Sequence, residues 1–182
     1  MTTYIVLGAA ALVVVLVIST YNRLVTLRQR VRNAWAQVDV QLKRRYDLIP
    51  NLVNTVKGYA SHERETFEQI TNARSRAMAA DTVDEQAGAE NMLTGALRTL
   101  FAVAENYPEL KADANFRQLQ EELSNTESKI AFARQFYNDT VQKYNIRTQV
   151  FPSNLIAGIF GFSGEAYFNV EGVEREAVEV RF

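Results

Sequence analysis

The chain contains no cysteine and a single histidine, His62. The first absence excludes a disulfide framework, a thiolate nucleophile, a Cys-based zinc site and an iron–sulfur cluster. The second excludes a conventional two- or three-histidine metal centre. Three prolines and eight glycines in 182 residues are too few turn signals for an all-β domain. A net charge of −1 lacks the basic excess of a nucleic-acid binder. Neither G-x-x-x-x-G-K-[ST] nor G-x-G-x-x-G occurs, so no phosphate-cradling loop is expected. His62-Glu63 is not the start of H-E-x-x-H, because residue 66 is Thr. Gly161-Phe-Ser-Gly is not the G-x-S-x-G elbow. A di-iron centre needs paired Glu-x-x-His motifs, which one histidine cannot supply. The expectation is a protein with no catalytic, cofactor-binding or metal-ligating residues, and His62 is read as a surface residue near a helix turn.

Charge is also missing from the N-terminus: no Lys, Arg, Asp or Glu precedes Arg23, and Tyr4 to Ile18 is an unbroken apolar run. About 20 helical residues rise roughly 30 Å, the thickness of a hydrocarbon core. Tyr4 and Tyr21 bracket the run, where aromatic rings favour the headgroup level. A cleaved signal peptide would need a basic leader and a small-x-small site, and neither is present. Residues 1–22 are therefore read as a transmembrane anchor. Arg23, Arg28, Arg30 and Arg32 follow it and no basic residue precedes it, so the expected orientation is N-terminus out and C-terminal domain cytoplasmic, in the cell (inner) membrane.

Beyond the anchor the apolar residues recur at three and four. Leu24, Leu27, Val31, Ala34/Trp35, Val38, Leu42, Arg45/Tyr46 and Ile49 form the first stripe, continuous with the span. Pro50 lacks an N–H and disfavours helix at the residue before it, so Asp47-Leu48-Ile49-Pro50 is read as a turn with Pro50 opening a second helix. That helix carries Leu52/Val53, Val56, Tyr59/Ala60, Phe67, Ile70, Ala73 and Ala77, with Gly58 marking a bend or close contact. Thr82-Val83-Asp84-Glu85 has the T-x-x-E form of a capping box and opens a third helix, which ends at Tyr107-Pro108. A fourth opens at Asn115 and runs through Phe116, Leu123, Ile130, Tyr137 and Tyr144 to a stop at Phe151-Pro152. Long stripes with short connections predict an all-α fold: an antiparallel up-and-down four-helix bundle whose first helix is continuous with the transmembrane helix. The bundle domain is assigned to residues 23–150. A C-terminal apolar segment and acidic tail occupies 151–182.

Residues 155–163 are uncharged and too short to span a bilayer. They could cover the bundle base, lie at the membrane interface, or join a neighbouring subunit. Val178 to Phe182 alternates like a strand; a disordered acidic tail is the competing reading. Residues 23–76 carry 11 basic and 5 acidic side chains, whereas 81–109 carry 1 basic and 6 acidic. The basic excess could face anionic lipid or be a solvated face. Asn33, Asp39, Arg45, Asp47 and Asn51 crowd one part of the first stripe and are read as a structural polar network. Arg45 falls on the apolar stripe itself, so it needs a buried carboxylate partner. Trp35, Phe151, Phe160 and Phe162 are the interface candidates.

Asn33-Ala-Trp-Ala-Gln-Val-Asp-Val-Gln-Leu-Lys-Arg-Arg-Tyr-Asp-Leu-Ile-Pro-Asn-Leu-Val, followed by Val56-Lys-Gly-Tyr-Ala-Ser-His-Glu, resembles the LemA family of bacterial and archaeal membrane proteins. So do Ala104-Glu-Asn-Tyr-Pro-Glu-Leu-Lys-Ala, Phe116-x-x-Leu-Gln-x-Glu-Leu and Tyr137-Asn-Asp-x-Val-x-x-Tyr-Asn. The resemblance implies a single-span anchor, an antiparallel helical bundle and no known enzymatic activity. One branch of the family is similar to proteins of magnetotactic bacteria implicated in forming magnetosome membranes, which points by analogy to membrane organisation. The expected role is a non-enzymatic, membrane-anchored scaffold or adaptor. Its partners would be membrane lipid, other copies in a homo-oligomer and a protein not identifiable from sequence. The alternative is an accessory or regulatory subunit sensing a small ligand for a membrane enzyme or transporter, with its pocket near Arg45 and Asp47.

Overall fold

A computed structural model describes residues 1–169, so the alternating segment near the C-terminus lies outside the described residues. Six helices and no strands occur among them: α1 (Thr2–Lys57), α2 (Arg64–Ala79), α3 (Val83–Glu105), α4 (Pro108–Ala112), α5 (Ala114–Gln149) and α6 (Ser153–Ile159). The chain folds as two units, Met1–Val38 with Ala133–Tyr167, and Asp39–Phe132 with the segment beginning at Phe168.

Helix α1 begins in the apolar run and is 56 residues long. Its most apolar 18-residue window has a mean hydropathy of 2.4 and no part of it is buried. Length and composition suffice to cross a membrane, and side chains such as Leu7, Leu12, Val15 and Leu16 are exposed. Each such side chain left in water forgoes about 1.5–3 kcal/mol of burial.

The turn expected at 47–50 is not there. Pro50 lies inside α1, and the helix ends instead in the 58–63 connection, where the amides of Tyr59 and Ala60 both donate to the Val56 carbonyl. Proline at 50 removes the amide that would serve the Tyr46 carbonyl. Arg74 of α2 replaces it, its Nε donating to Tyr46 O at 2.8 Å. The buried stripe runs straight through, from Leu42 and Ile49 to Leu52, Val53 and Val56. The expected second helix is therefore divided, its first turns belonging to α1 and the rest to α2.

Local signals set the other boundaries. Thr82 and Glu85 form the capping box of α3, with both reciprocal contacts at 3.2 Å. Backbone amides of Asp81 and Thr82 donate to the Glu85 carboxylate and hold it below its ordinary range. Helix α5 is opened by Asp113 rather than Asn115: its carboxylate accepts from the Phe116 amide at 2.8 Å. Phe116, Leu123, Ile130, Tyr137, Val141 and Tyr144 are buried along α5, as the spacing predicts.

In the first unit, α6 follows α5 closely. Gly161 has φ +69, a left-handed conformation that glycine adopts without strain, and it turns Phe162 back into the interior. The next residues return along α5. Asn145 exchanges two hydrogen bonds with the Glu165 backbone, at 2.8 and 2.9 Å, and the Tyr137 hydroxyl donates to Ala166 O at 2.8 Å. A Cβ at Gly164 would stand 3.3 Å from Asn145 Oδ1, so glycine permits that close approach.

Candidate functional site

The second unit contains a buried ionic cluster built from α1, α2, α3 and α5. Arg45 is 3 % exposed and Glu90 2 %. Arg45 Nη1 donates to Glu90 Oε2 at 2.9 Å, and Nη2 donates to Thr94 Oγ1 at 2.9 Å. Arg45 Nε lies 2.9 Å from Glu127 Oε1 but off the N–H axis, so that contact is an ion pair rather than an aligned hydrogen bond. The Tyr46 hydroxyl donates to Glu90 Oε1. Gln86 Nε2 reaches the Tyr46 hydroxyl at 2.8 Å, the Ala77 carbonyl at 3.1 Å and Glu90 Oε1 at 3.1 Å.

Spacing explains the convergence. Gln86, Glu90, Leu93 and Leu97 share one face of α3, and Leu123, Thr126 and Glu127 lie together on α5. Arg45 replaces an apolar side chain on the α1 stripe. A buried charge is tolerated when a partner and further hydrogen bonds satisfy it, and Glu90 meets both conditions.

Two carboxylates flank one guanidinium. Burial, against the pull of Arg45 and with the push of Glu90, holds the Glu127 carboxyl above its ordinary range. Burial first, and then the Glu90 charge, holds the Tyr46 phenol far above its ordinary range, so Tyr46 serves as a donor. No nucleophile–base pair is present in the cluster. It can fix helix register and present the outer edge of Glu127 to a visitor.

That edge opens on a cleft of about 390 Å³ whose walls include Arg45, Thr94, Arg98, Phe101, Gln120 and Glu127. The volume falls within the range of small-ligand sites, roughly 300–1,000 Å³. A second depression of about 480 Å³ lies over Lys57, Arg64 and Phe67, with Lys57 Nζ 5.3 Å from the Phe67 ring. His62 is exposed in the 58–63 connection. Among the described residues no three His, Asp or Glu side chains converge as a metal cage would require.

Of the five residues expected to form one polar network, Arg45 is held by side chains of α3 and α5. Arg45 is buried, but Asn33, Asp39, Asp47 and Asn51 are exposed. Exposed polar groups on the same helix gain little by leaving water, whereas a buried guanidinium requires carboxylates from facing helices. Glu90, Glu127, Gln86 and Thr94 were missed in the sequence. The signal for Gln86 and Glu90 was an amide and a carboxylate on an otherwise apolar face, whereas exposed Thr94 gave none. Of the interface candidates, Trp35 is half-buried with its ring 5.1 Å from Tyr137. Phe162 is buried against Tyr21 and Arg28. Phe151 and Phe160 face outward.

The model of the LemA family matches residues 34–182. Protein LemA of Metamycoplasma hominis is 28% identical over 163 residues, which cover 87% of this chain and 73% of that protein. Magnetosome protein MamQ 2 of Paramagnetospirillum magneticum is 26% identical over 174 residues, covering 81% of this chain and 64% of its own length. Magnetosome protein MamQ of Magnetospirillum gryphiswaldense is 24% identical over 175 residues, covering 82% and 64% respectively. The chain thus spans less than two thirds of the magnetosome relatives it matches. With the family pattern extending from the middle of α1 to the C-terminus, this chain belongs to the LemA family.

Proposed function

We propose that the chain is a non-enzymatic, membrane-anchored helical scaffold. Residues 1–22 hold it in the cell's inner membrane with the N-terminus out. Residues 23–150 form a cytoplasmic up-and-down bundle of α1, α2, α3 and α5, and residues 151–182 add the apolar segment and tail. Copies associate through outward apolar side chains, Phe136 on α5 among them, and gather the bilayer to which each is tethered. The single observation that carries this reading is the apolar first part of α1, whose most apolar 18-residue window has no buried residue. The buried charges support it, because Arg45, Glu90 and Tyr46 are bonded to one another and to Gln86 and Thr94. The magnetosome proteins among the relatives lend weight to a role in membrane organisation. Native mass spectrometry of full-length protein extracted in mild detergent tests it: the expected result is more than one copy, or a stable complex with a second protein. A strict monomer with no captured partner would contradict it.

The cleft beside Arg45 favours a second reading, an accessory subunit that senses a small ligand for an associated membrane enzyme or transporter. That reading predicts a ligand-dependent rise in thermal stability, abolished by Arg98→Ala at the cleft wall.

A further inference from the structure

In a water-facing helix the outer side is polar and the inner side apolar. Helix α6 departs from this: large apolar side chains dominate its outer side, where Asn154 is the one exposed polar residue, and Ser153 and Ala157 are buried. Its serine, Ser153, is buried and donates to the Arg147 carbonyl at 2.7 Å, with the Val150 carbonyl at 2.9 Å. Phe151, Leu155 and Ile159, spaced four apart, face outward with Phe160, and Ile159 is 75 % exposed. No charged residue occurs from Thr148 to Gly164.

The position of α6 says what covers that face. The Phe160 ring lies 4.9 Å and the Phe162 ring 5.6 Å from the ring of Tyr21, both edge-on. Tyr21 is three residues beyond Ile18, the last residue of the apolar run, about 4.5 Å along the helix axis. The outward face of α6 is thus continuous with the end of the transmembrane segment. Arg23, exposed two residues further on, suits anionic headgroups at the same depth. Arg28 over the Phe162 ring, 4.9 Å from its centroid, and the Asn145–Glu165 exchange hold the segment in place.

We propose that Phe151, Leu155, Ile159 and Phe160 lie in the interfacial layer of the leaflet from which α1 emerges. The chain then grips the bilayer twice, by a span and by a peripheral helix. Aromatic and aliphatic side chains on the apolar face of an interfacial helix enter the headgroup–acyl boundary in this way. The second grip fixes the rotation of α1 about its own axis, which a single span leaves free. It would orient the bundle and so deepen the scaffold role.

This inference rests on the anchor reading, and one experiment separates the two. The chain has no native cysteine, so single-cysteine variants of the full-length protein can each carry an environment-sensitive fluorophore in lipid nanodiscs. Ile159→Cys and Leu155→Cys report on α6, Val14→Cys on the anchor, and Glu105→Cys on an exposed helix end. The expected result is a roughly twofold or greater loss of emission at 155, 159 and 14 with a lipid-borne nitroxide, from a depth of about 5–10 Å at α6, and no loss at 105. Iodide quenching at 155 and 159 without lipid quenching would overturn the inference while lipid quenching at 14 left the anchor standing. Shielding of 155 and 159 from both quenchers would assign the face to a second copy and also overturn it. No lipid quenching at 14 would overturn both.

Discussion

The Arg45 cluster and the outer face of α6 each invert the usual partition of side chains, in opposite senses. In the first, charged groups lie inside; Glu90 is 2 % exposed. In the second, large apolar groups lie outside; Phe151 is 78 % exposed. The difference is satisfaction. Every strong polar contact of Glu90 is met by Arg45, Tyr46 or Gln86, so the Glu90 carboxylate is satisfied within the protein. The α6 face has no such closure, and in the proposal above the bilayer completes it. A buried charge with all its partners is architecture, whereas an exposed apolar face at the end of a membrane span is a contact surface.

The largest expected effect falls on the cluster. Glu90→Ala leaves Arg45 and Tyr46 without their shared acceptor, and chemical denaturation should show a loss of about 3–5 kcal/mol. Replacing Arg45 and Glu90 together by Met and Leu should recover most of it, because a buried pair exchanged for apolar groups of similar volume is often neutral. If the double variant is as unstable as the single one, the cluster contributes more than mutual neutralisation.

Next comes the Tyr46 carbonyl. Arg74→Ala should cost about 1–3 kcal/mol by leaving that acceptor unmet. In a Pro50→Ala background the backbone amide returns, and the same change should cost clearly less. A double-mutant cycle of thermal stability reads this coupling, and strict additivity would show that Arg74 is not the substitute donor.

Smaller effects come from two carboxylates whose pH dependences have opposite sign. Glu127 is raised in the folded state. Its contribution is therefore fully present below the ordinary glutamate range, near pH 4.3, and is lost as pH rises through the higher folded value. Glu85 is lowered, so its contribution is present above that range and is lost as pH falls through the lower folded value. Stability profiles of Glu127→Gln and Glu85→Gln between pH 3 and 7 should differ from the parent in opposite directions. Screening keeps the Glu127 effect under about 1 kcal/mol, since its side chain is 42% exposed.

The smallest effect on folding is expected at the contact surface. Ile159→Asn should leave unfolding in detergent within about 0.5 kcal/mol of the parent, as for other surface positions. A large loss would mean that the α6 face is covered by protein.

The contrast also shows what was legible in the sequence. The helical stripes and the Thr82–Glu85 box were readable because their partners are three or four residues away. The turn assigned to Pro50 was misplaced because its remedy, Arg74, comes from another helix and cannot be seen in local pattern. The stripe from Ile49 through Leu52 and Val56 carried the better answer: unbroken three-four spacing outweighed a single proline. The partner of Arg45 was expected as a class, but its identity required tertiary structure. Residues 155–163 were recognisable as uncharged; their outward direction depends on Gly161 and on contact with Tyr21.

The central claim is that the N-terminus and the end of α3 stand on opposite sides of the bilayer, and the absence of native cysteine permits a direct measurement. Thr3→Cys and Glu105→Cys are each treated with a membrane-impermeant maleimide in intact cells. The account predicts labelling at position 3 and none at 105 until the membrane is permeabilised. Labelling at 105 in intact cells, or loss of the N-terminal residues from the mature protein, would contradict it.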